Sequence, residues 1–477
     1  MSVLRVEDKY SGKVLFEIPM DSRAELRRKI SLARQAKDQV RRLSLEERAE
    51  LIKRVGKRIA AARDEFVQLL LHEAGQPRKW AEYEVARTIV LAENFGTLID
   101  LVRPREVPAV TGKNLELHEP FGVAGVIAPR NTPLLVPFYT MFSALGAGNA
   151  VIEKPSNVAP SPCHRLVAFA REEGFPAEAV QVSTCSSTEA AWEFVENPEV
   201  DVFVTYSSTP VGKDNIIKIG QYMQGTKRDE HNFFCVSGKM KKYVPELAGN
   251  DPFIVLAGAD PERAAEAAVH GGFANSGQLC ISAKRLLVHR SLAERFTEVA
   301  AAGAARLKLG SPLDPDADIG PLGRQETIDQ ALFEIKDGLT KGGRLVFGGS
   351  GKEPFFEPTL IEFDKQAILG RRRSEKPVLW VEESFGPVRS VVTYDTWGEA
   401  VTLANDTTYG LGAAIFGQPE EALRMAAELN CGRVIVNESP LYSDLFLPVG
   451  GIKDSGLYGS THKILEMTYL KRVHLGP

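Results

Sequence analysis

Two hydrophobic periods alternate along this 477-residue chain, and the points where they switch mark its organisation. Residues 15–19 read as a short strand. Ser22-Arg-Ala-Glu25 and Ser44-Leu-Glu-Glu47 each set a glutamate three positions after a hydroxyl residue, the pattern by which a helix start satisfies its free N–H groups. Leu51, Val55, Ile59 and Ala62 then fall on one helical face, so residues 22–100 are predicted mainly helical, with their Arg and Lys on a solvated face. Over 104–119, Val107, Val110, Leu115 and Leu117 alternate with polar residues and prolines, which predicts an extended arm.

From Phe121 strand-like and helical stretches take turns. Residues 122–127, 150–152, 180–182 and 202–204 read as strands; between them lie the apolar segment 134–145, a helix opened by Ser161-Pro162 and closed near Gly174, and one capped at Ser186 with Glu189. That order predicts parallel βαβ units, an architecture suited to nucleotides. No strand is followed by G-x-G-x-x-G, since Gly146-Ala-Gly148 and Gly410-Leu-Gly412 both lack the full set, so a dinucleotide would be held differently. Residues 213–242, centred on Arg228-Asp-Glu-His231, read as a polar excursion. Helices are expected at 264–270 and 292–307, further alternation over 379–436, and a helix turn with a terminal strand over 464–475. Gly348-Gly-Ser-Gly-Lys352 resembles a phosphate loop but has Val346 for the leading glycine and Glu353 after the lysine, so it reads as an ordinary loop.

Length predicts two or three domains. With 25% charged residues, 44% hydrophobic residues and a net charge of −4, a soluble enzyme or binding protein is expected, with no nucleic-acid surface. The five cysteines (163, 185, 235, 280 and 431) form no C-x-x-C pair, and the eight histidines no pair at helical ligand spacing; neither a disulfide framework, a zinc site nor any other metal is expected. A reducing cytoplasm is the expected compartment, with neither export nor a membrane span.

The chemical lead is Phe273-Ala-Asn-Ser-Gly-Gln-Leu-Cys280-Ile-Ser-Ala-Lys-Arg285, a cysteine among small and amide residues, as on a tight turn. A thiol near its ordinary pKa of ~8.5 is only a few per cent thiolate at neutral pH, yet that fraction attacks carbonyls well. Locally, a buried structural cysteine is the favoured reading. Other landmarks decide: Pro129-Arg-Asn131-Thr-Pro133, Gly148-Asn-Ala-Val-Ile-Glu-Lys154-Pro-Ser156, Ser208-Thr-Pro-Val-Gly212, Glu246-Leu-Ala-Gly249 and Glu382-Glu383-Ser-Phe385-Gly-Pro387. Together and in this order they resemble the aldehyde dehydrogenase superfamily of the NAD(P)-dependent, hydrolytic type, over nearly the whole chain.

The resemblance implies an α/β, aldehyde dehydrogenase-like fold: two Rossmann-like parallel-sheet domains plus a small β oligomerisation arm. The cofactor-binding domain would take 1–103 and 122–244, the catalytic domain 245–447, and the arm 104–121 and 448–477, in a homodimer or homotetramer. It implies oxidation of a small-molecule aldehyde, with Cys280 as nucleophile, Asn131 as oxyanion donor beside the Cys280 N–H, and Glu246 as general base. Lys154, Ser156, Asn157, Ser208, Glu383 and Phe385 would hold the cofactor, and Tyr139, Leu279 and Ile281 would line the substrate path, with an aliphatic or aromatic aldehyde favoured and a polar one open. Taken singly, Lys154 and Glu383 read as surface charges and Phe385 as core. The chain departs from the family pattern at Arg130 (usually Trp), Ser207 and Ala248 (usually Gly), and Asn157, where many members carry a glutamate that rejects a 2′-phosphate. Asn157 therefore predicts NADP tolerated or preferred over NAD. Residues 213–242 and Gly370-Arg-Arg-Arg373-Ser-Glu-Lys376 read as additions to the family pattern. Alternatives are a CoA-acylating dehydrogenase, which Glu246 opposes, and a catalytically retired member serving as a binding or structural protein.

Overall fold

The computed structural model describes residues 2–224, 239–322 and 325–476. An antiparallel hairpin pairs Val3–Glu7 with Val14–Pro19, and helices Arg23–Arg42, Leu45–Ala61, Arg63–Leu69, Arg78–Glu93 and Phe95–Asp100 follow. At the second helix the capping box closes: Glu47 N donates to Ser44 Oγ at 3.1 Å and Ser44 N to Glu47 Oε2 at 2.7 Å. At the first only half forms, because the Glu25 carboxylate turns to the Arg28 guanidinium one helical turn on. Leu51, Val55 and Ile59 are buried as expected, whereas Ala62 caps the helix end instead of extending its apolar face.

Five parallel strands form one sheet in the order Val180–Val182, Ala150–Lys154, Val123–Ile127, Val202–Tyr206, Lys242–Glu246. Helices cover both faces, which is why the three central strands are nearly continuous apolar runs rather than alternating ones. A second sheet of seven strands runs Arg344–Phe347, Thr359–Phe363, Val388–Tyr394, Ala283–His289, Asp251–Val255, Gly412–Phe416, Arg433–Val436. It is parallel except at one edge, where Arg344–Phe347 is antiparallel. The link to Thr359–Phe363 holds only a small hairpin, Gly351–Lys352 against Phe355–Phe356, and no helix to carry a parallel crossover.

A third sheet joins Thr468–Leu475, Lys113–Pro120 and Arg105–Val107, all antiparallel, so the arm anticipated at 104–119 finds its partner at the far end of the chain. The expected excursion at 213–242 needs correction at its start: residues 213–224 continue the helix Thr209–Gln224, with Asn215 and Ile219 buried, because Ile219 packs into the core beside the five-stranded sheet. Its centre, Arg228 to His231, and Cys235 lie outside the described residues. Residues 370–376 are tied down, with Arg373 Nη2 on Glu382 Oε1 at 2.5 Å and Lys376 Nζ on Asp406 Oδ1 at 2.6 Å.

Candidate active site

The helix Pro261–Phe273 runs into a turn where Asn275, Ser276 and Gly277 all adopt left-handed conformations, with φ of 51°, 56° and 75°. Non-glycine residues there cost ~1–3 kcal/mol each, so the surroundings must impose the shape. They do so through specific contacts. Asn275 Nδ2 donates to Asn131 O at 3.0 Å, and Ser276 Oγ donates to Gly320 O at 3.1 Å while accepting from Gly320 N at 3.0 Å. A Cβ on Gly277 would lie 2.4 Å from Gly386 O, so only glycine fits. Below the turn, buried Arg389 donates to Gly272 O, Gly386 O, Gly277 O and Ser282 Oγ, and buried Arg285 to Asn250 O, Leu403 O and Ala404 O. The turn delivers Cys280 partly exposed at the N-terminal end of the strand Ala283–His289. Burial of its surroundings pushes the thiol up to about 12, with the carboxylates of Glu383, Asp251 and Glu246 adding to the rise and Lys284 opposing it.

Four of the five parallel strands end at or just before a residue of interest: Asn131 after Val123–Ile127, Lys154 closing Ala150–Lys154, Ser208 after Val202–Tyr206, Glu246 closing Lys242–Glu246. The carboxyl ends of parallel strands are where open α/β sheets gather ligands. Asn131 Nδ2 donates to Gln278 O at 2.9 Å, two residues before Cys280, and an amide nitrogen has a second N–H to give. The Asn131 carbonyl accepts from both Asn275 and Gln76 Nε2, the latter at 3.0 Å, and Gln76 is held by Glu84, which also accepts from Leu134 N and Leu135 N at the start of the helix Leu135–Ala147. Burial raises Glu84 to about 7.

Glu246 points into an ionic cluster. Its Oε1 lies 2.6 Å from Lys463 Nζ, and the same ammonium lies 2.7 Å from Glu466 Oε2; the Lys463 side chain is 2% exposed. Desolvation raises Glu246 to about 7, with Glu466 adding to the rise and Lys463 holding it back. Tyr139 is wired to the same cluster, its hydroxyl accepting from Lys463 N at 3.1 Å. Of the other two residues expected along the substrate path, Leu279 is buried and only Ile281 keeps part of its surface open.

On the cofactor side, Lys154 Nζ donates to Pro155 O at 2.6 Å and to Asn157 Oδ1, and burial lowers it to about 8. Ser156 Oγ accepts from Val158 N at 3.2 Å. Ser208 is exposed at the start of the 16-residue helix Thr209–Gln224, whose free N–H groups favour an anion such as a pyrophosphate. Glu383 Oε1 accepts from Gly249 N at 3.1 Å, and Phe385 lies under the Arg130 guanidinium at 5.4 Å. The lysine, the helix start and the carboxylate suit a dinucleotide's ribose and phosphate groups; Ser207 is only partly exposed and Ala248 is buried. Among the described residues, no group of three or more His, Cys, Asp or Glu is placed to hold a metal ion.

A sequence model described as the aldehyde dehydrogenase family matches residues 2–473. The chain belongs to the aldehyde dehydrogenase family. Among its relatives, the lactaldehyde dehydrogenase of Methanococcus maripaludis is 30% identical over 475 residues, covering 98% of this chain and 96% of that one. The 3-sulfolactaldehyde dehydrogenase of Pseudomonas putida is 31% identical over 475 residues, covering 98% and 92%. The glyceraldehyde-3-phosphate dehydrogenase GapN of Methanocaldococcus jannaschii, crystallised with NADP, superposes with a TM-score of 0.88 at 29% identity, covering 99% of each chain. This aldehyde dehydrogenase is an NAD(P)-dependent aldehyde oxidoreductase, and no described helix is long and apolar enough to cross a membrane.

Several residues that shape the site in this aldehyde dehydrogenase carried no signal in the sequence. Lys463 lies 217 positions from Glu246 in an unremarkable helix turn, Gln76 sits in the loop before the helix Arg78–Glu93, and Glu84 lies within that helix, in a stretch read only as mainly helical. Lys284 was within reach of inspection, four residues after Cys280, where an apolar strand begins with an unexplained charge.

Proposed function

We propose that the chain oxidises a small aldehyde to its carboxylic acid through a covalent intermediate on Cys280. The observation that carries this reading is the 2.9 Å bond from Asn131 Nδ2 to Gln278 O, which brings the end of a parallel strand onto the cysteine turn. Cys280 Sγ, as the thiolate, bonds to the aldehyde carbon, and the carbonyl oxygen becomes an alkoxide held by the second Asn131 N–H and the Cys280 N–H. A nicotinamide bound beside the turn would supply the acceptor for the hydride of the C–H bond that breaks. Glu246 then takes a proton from water, the hydroxyl oxygen bonds to the thioester carbon, and the C–S bond breaks to return the thiolate. Lys463 keeps Glu246 aimed and favours its ionised form.

Lys154, Ser156, Asn157, Ser208, Glu383 and Phe385 are the proposed cofactor residues. NADP is the proposed cofactor of choice, supported by Asn157 where an acidic residue would repel a 2′-phosphate and by a relative crystallised with NADP. Relatives named for lactaldehyde and 3-sulfolactaldehyde shift the substrate from the apolar class that the sequence favoured to a small, polar 2-hydroxyaldehyde. The division into a cofactor domain (1–103, 122–244), a catalytic domain (245–447) and an arm (104–121, 448–477) is supported by the three sheets. A homodimer or homotetramer is supported by Tyr469, Leu470 and Leu475, which leave the arm strand about half exposed.

The deciding assay follows absorbance at 340 nm over a panel of hydroxy, semialdehyde, aliphatic and aromatic aldehydes, with NADP and NAD in parallel and the acid product identified. No reduction with any aldehyde, despite bound cofactor, would overturn the reading. Asn131→Ala is expected to lower kcat by roughly 10²–10³-fold with little change in cofactor affinity, the usual cost of one oxyanion donor. Lys463→Met strands two buried carboxylates, so it is expected to cost ~3–5 kcal/mol of stability. In whatever activity remains, the acidic limb of the pH profile should move upward from about 7, because the group that holds Glu246 down is gone; paired urea titrations and pH–rate profiles read both effects.

A further inference from the structure

Lys284 takes no part in the bond-making steps proposed above, yet its placement is too costly to be incidental. Its side chain is 1% exposed, and burying an ammonium is tolerated only when every N–H finds an acceptor. Three oxygens surround this one. Lys284 Nζ donates to Leu279 O at 2.9 Å and to Cys280 O at 2.5 Å, and lies 3.2 Å from Glu383 Oε1. One ammonium thus grips the carbonyls of the nucleophile and its neighbour by hydrogen bonds and forms an ion pair with the carboxylate proposed for the cofactor's ribose.

The charges around Cys280 come from several elements. Asp251 opens one strand of the seven-stranded sheet and Arg433 another; Glu246 closes a strand of the five-stranded sheet, and Glu383 follows the short helix Val378–Val381. The carboxylates all oppose a thiolate, and Lys284, on the strand that Cys280 leads into, is a cation set against them. Arg433 senses Cys280 as well, but its guanidinium is spent on Pro440 O at 2.8 Å and Tyr442 O at 2.5 Å.

We propose that Lys284 is a positioning residue that fixes the Cys280 turn and links it to Glu383, so that the state of the ribose-binding carboxylate is felt at the nucleophile. With Glu383 on Lys284, the ammonium's field at Cys280 is largely cancelled. When Glu383 turns to ribose hydroxyls, that cancellation weakens and the thiolate gains from the same cation. The second half rests on the proposed role of Glu383; the first stands without it.

The test is the pH dependence of Cys280 alkylation by iodoacetamide, followed by intact mass, with and without saturating NADP, in wild type, Lys284→Met, Lys284→Arg and Glu383→Gln. Without cofactor, Lys284→Met is expected to slow alkylation at a fixed alkaline pH about tenfold, the equivalent of one pKa unit, and Lys284→Arg to restore most of it. Glu383→Gln should move the other way, speeding alkylation, because it removes an opposing carboxylate and leaves the ammonium in place. NADP should speed the wild-type reaction and leave both Lys284→Met and Glu383→Gln unchanged. General loosening of the turn would move both variants in one direction, so opposite signs support the proposal and shared signs overturn it. Wild-type alkylation in a folded Lys284→Met protein also overturns it; if that variant does not fold, the signs and sizes for Lys284→Arg and Glu383→Gln decide. Opposite signs without any NADP effect in wild type would keep the Lys284 anchor and reject the Glu383 link.

Discussion

Cys280→Ala is expected to abolish aldehyde oxidation, lowering kcat by on the order of 10⁵–10⁶-fold, the scale on which loss of a sole covalent nucleophile is felt. No neighbouring side chain can replace it. The other described cysteines are elsewhere: Cys163 and Cys185 are buried beside Lys154, and Cys431 Sγ is bonded to its own loop at Arg433 O. The substitution removes one sulfur from a partly exposed position, so stability should change by less than ~1 kcal/mol. Lys154, Ser208 and Glu383 remain, so NADP should bind with wild-type affinity, which fluorescence titration checks alongside the 340 nm assay. Turnover surviving at more than about one part in a thousand would show that the thiol is not the nucleophile.

Glu246→Gln is expected to separate the two halves of the reaction. On the proposed route acylation uses Cys280 and Asn131 alone, so a first burst of about one reduced cofactor per subunit should survive. Deacylation needs a base for water, and steady-state turnover should fall roughly 10²–10⁴-fold, leaving a thioester visible by intact mass. If CoA rather than water were the acyl acceptor, steady turnover would persist in the variant once CoA was added. The wild-type rate should carry an acidic limb near 7, because the proposed base role needs Glu246 ionised and burial raises it to about 7; Gln should erase that limb from what remains. The same shift acts on stability. The folded state holds the Glu246 proton more tightly than the unfolded chain does, so its contribution is fully present below the ordinary carboxylate range and is lost as pH rises through about 7. Glu246→Gln is therefore expected to flatten the fall in stability between pH ~4.5 and 7, with urea midpoints as the measurement.

Local chemistry made much of the fold legible. Ser44 with Glu47, Gly174 at the end of the helix Ser161–Glu173, and the apolar strands Val123–Ile127 and Val202–Tyr206 each carry their instruction within a few residues, and each forms where the pattern places it. Local patterns did not decide everything: Glu25 leaves its capping role for Arg28 one helical turn on, and Arg344–Phe347 joins its sheet antiparallel because the chain after it turns back too soon for a crossover.

The candidate site divides along the same line. Cys280, Asn131, Glu246, Lys154 and Glu383 sit in short strings whose order the sequence alone determines, since a nucleophile turn or a strand end needs particular neighbours beside it. What the sequence could not determine is how these groups are charged and held. The rise of Glu246 to about 7 comes from desolvation, held back by an ammonium from position 463; the Asn131 backbone carbonyl is held by Asn275 and by Gln76, itself held by Glu84; the state of Cys280 depends on Lys284 against three carboxylates. Burial and Coulomb interaction act across space between groups remote in the chain, so only the packed tertiary structure decides them.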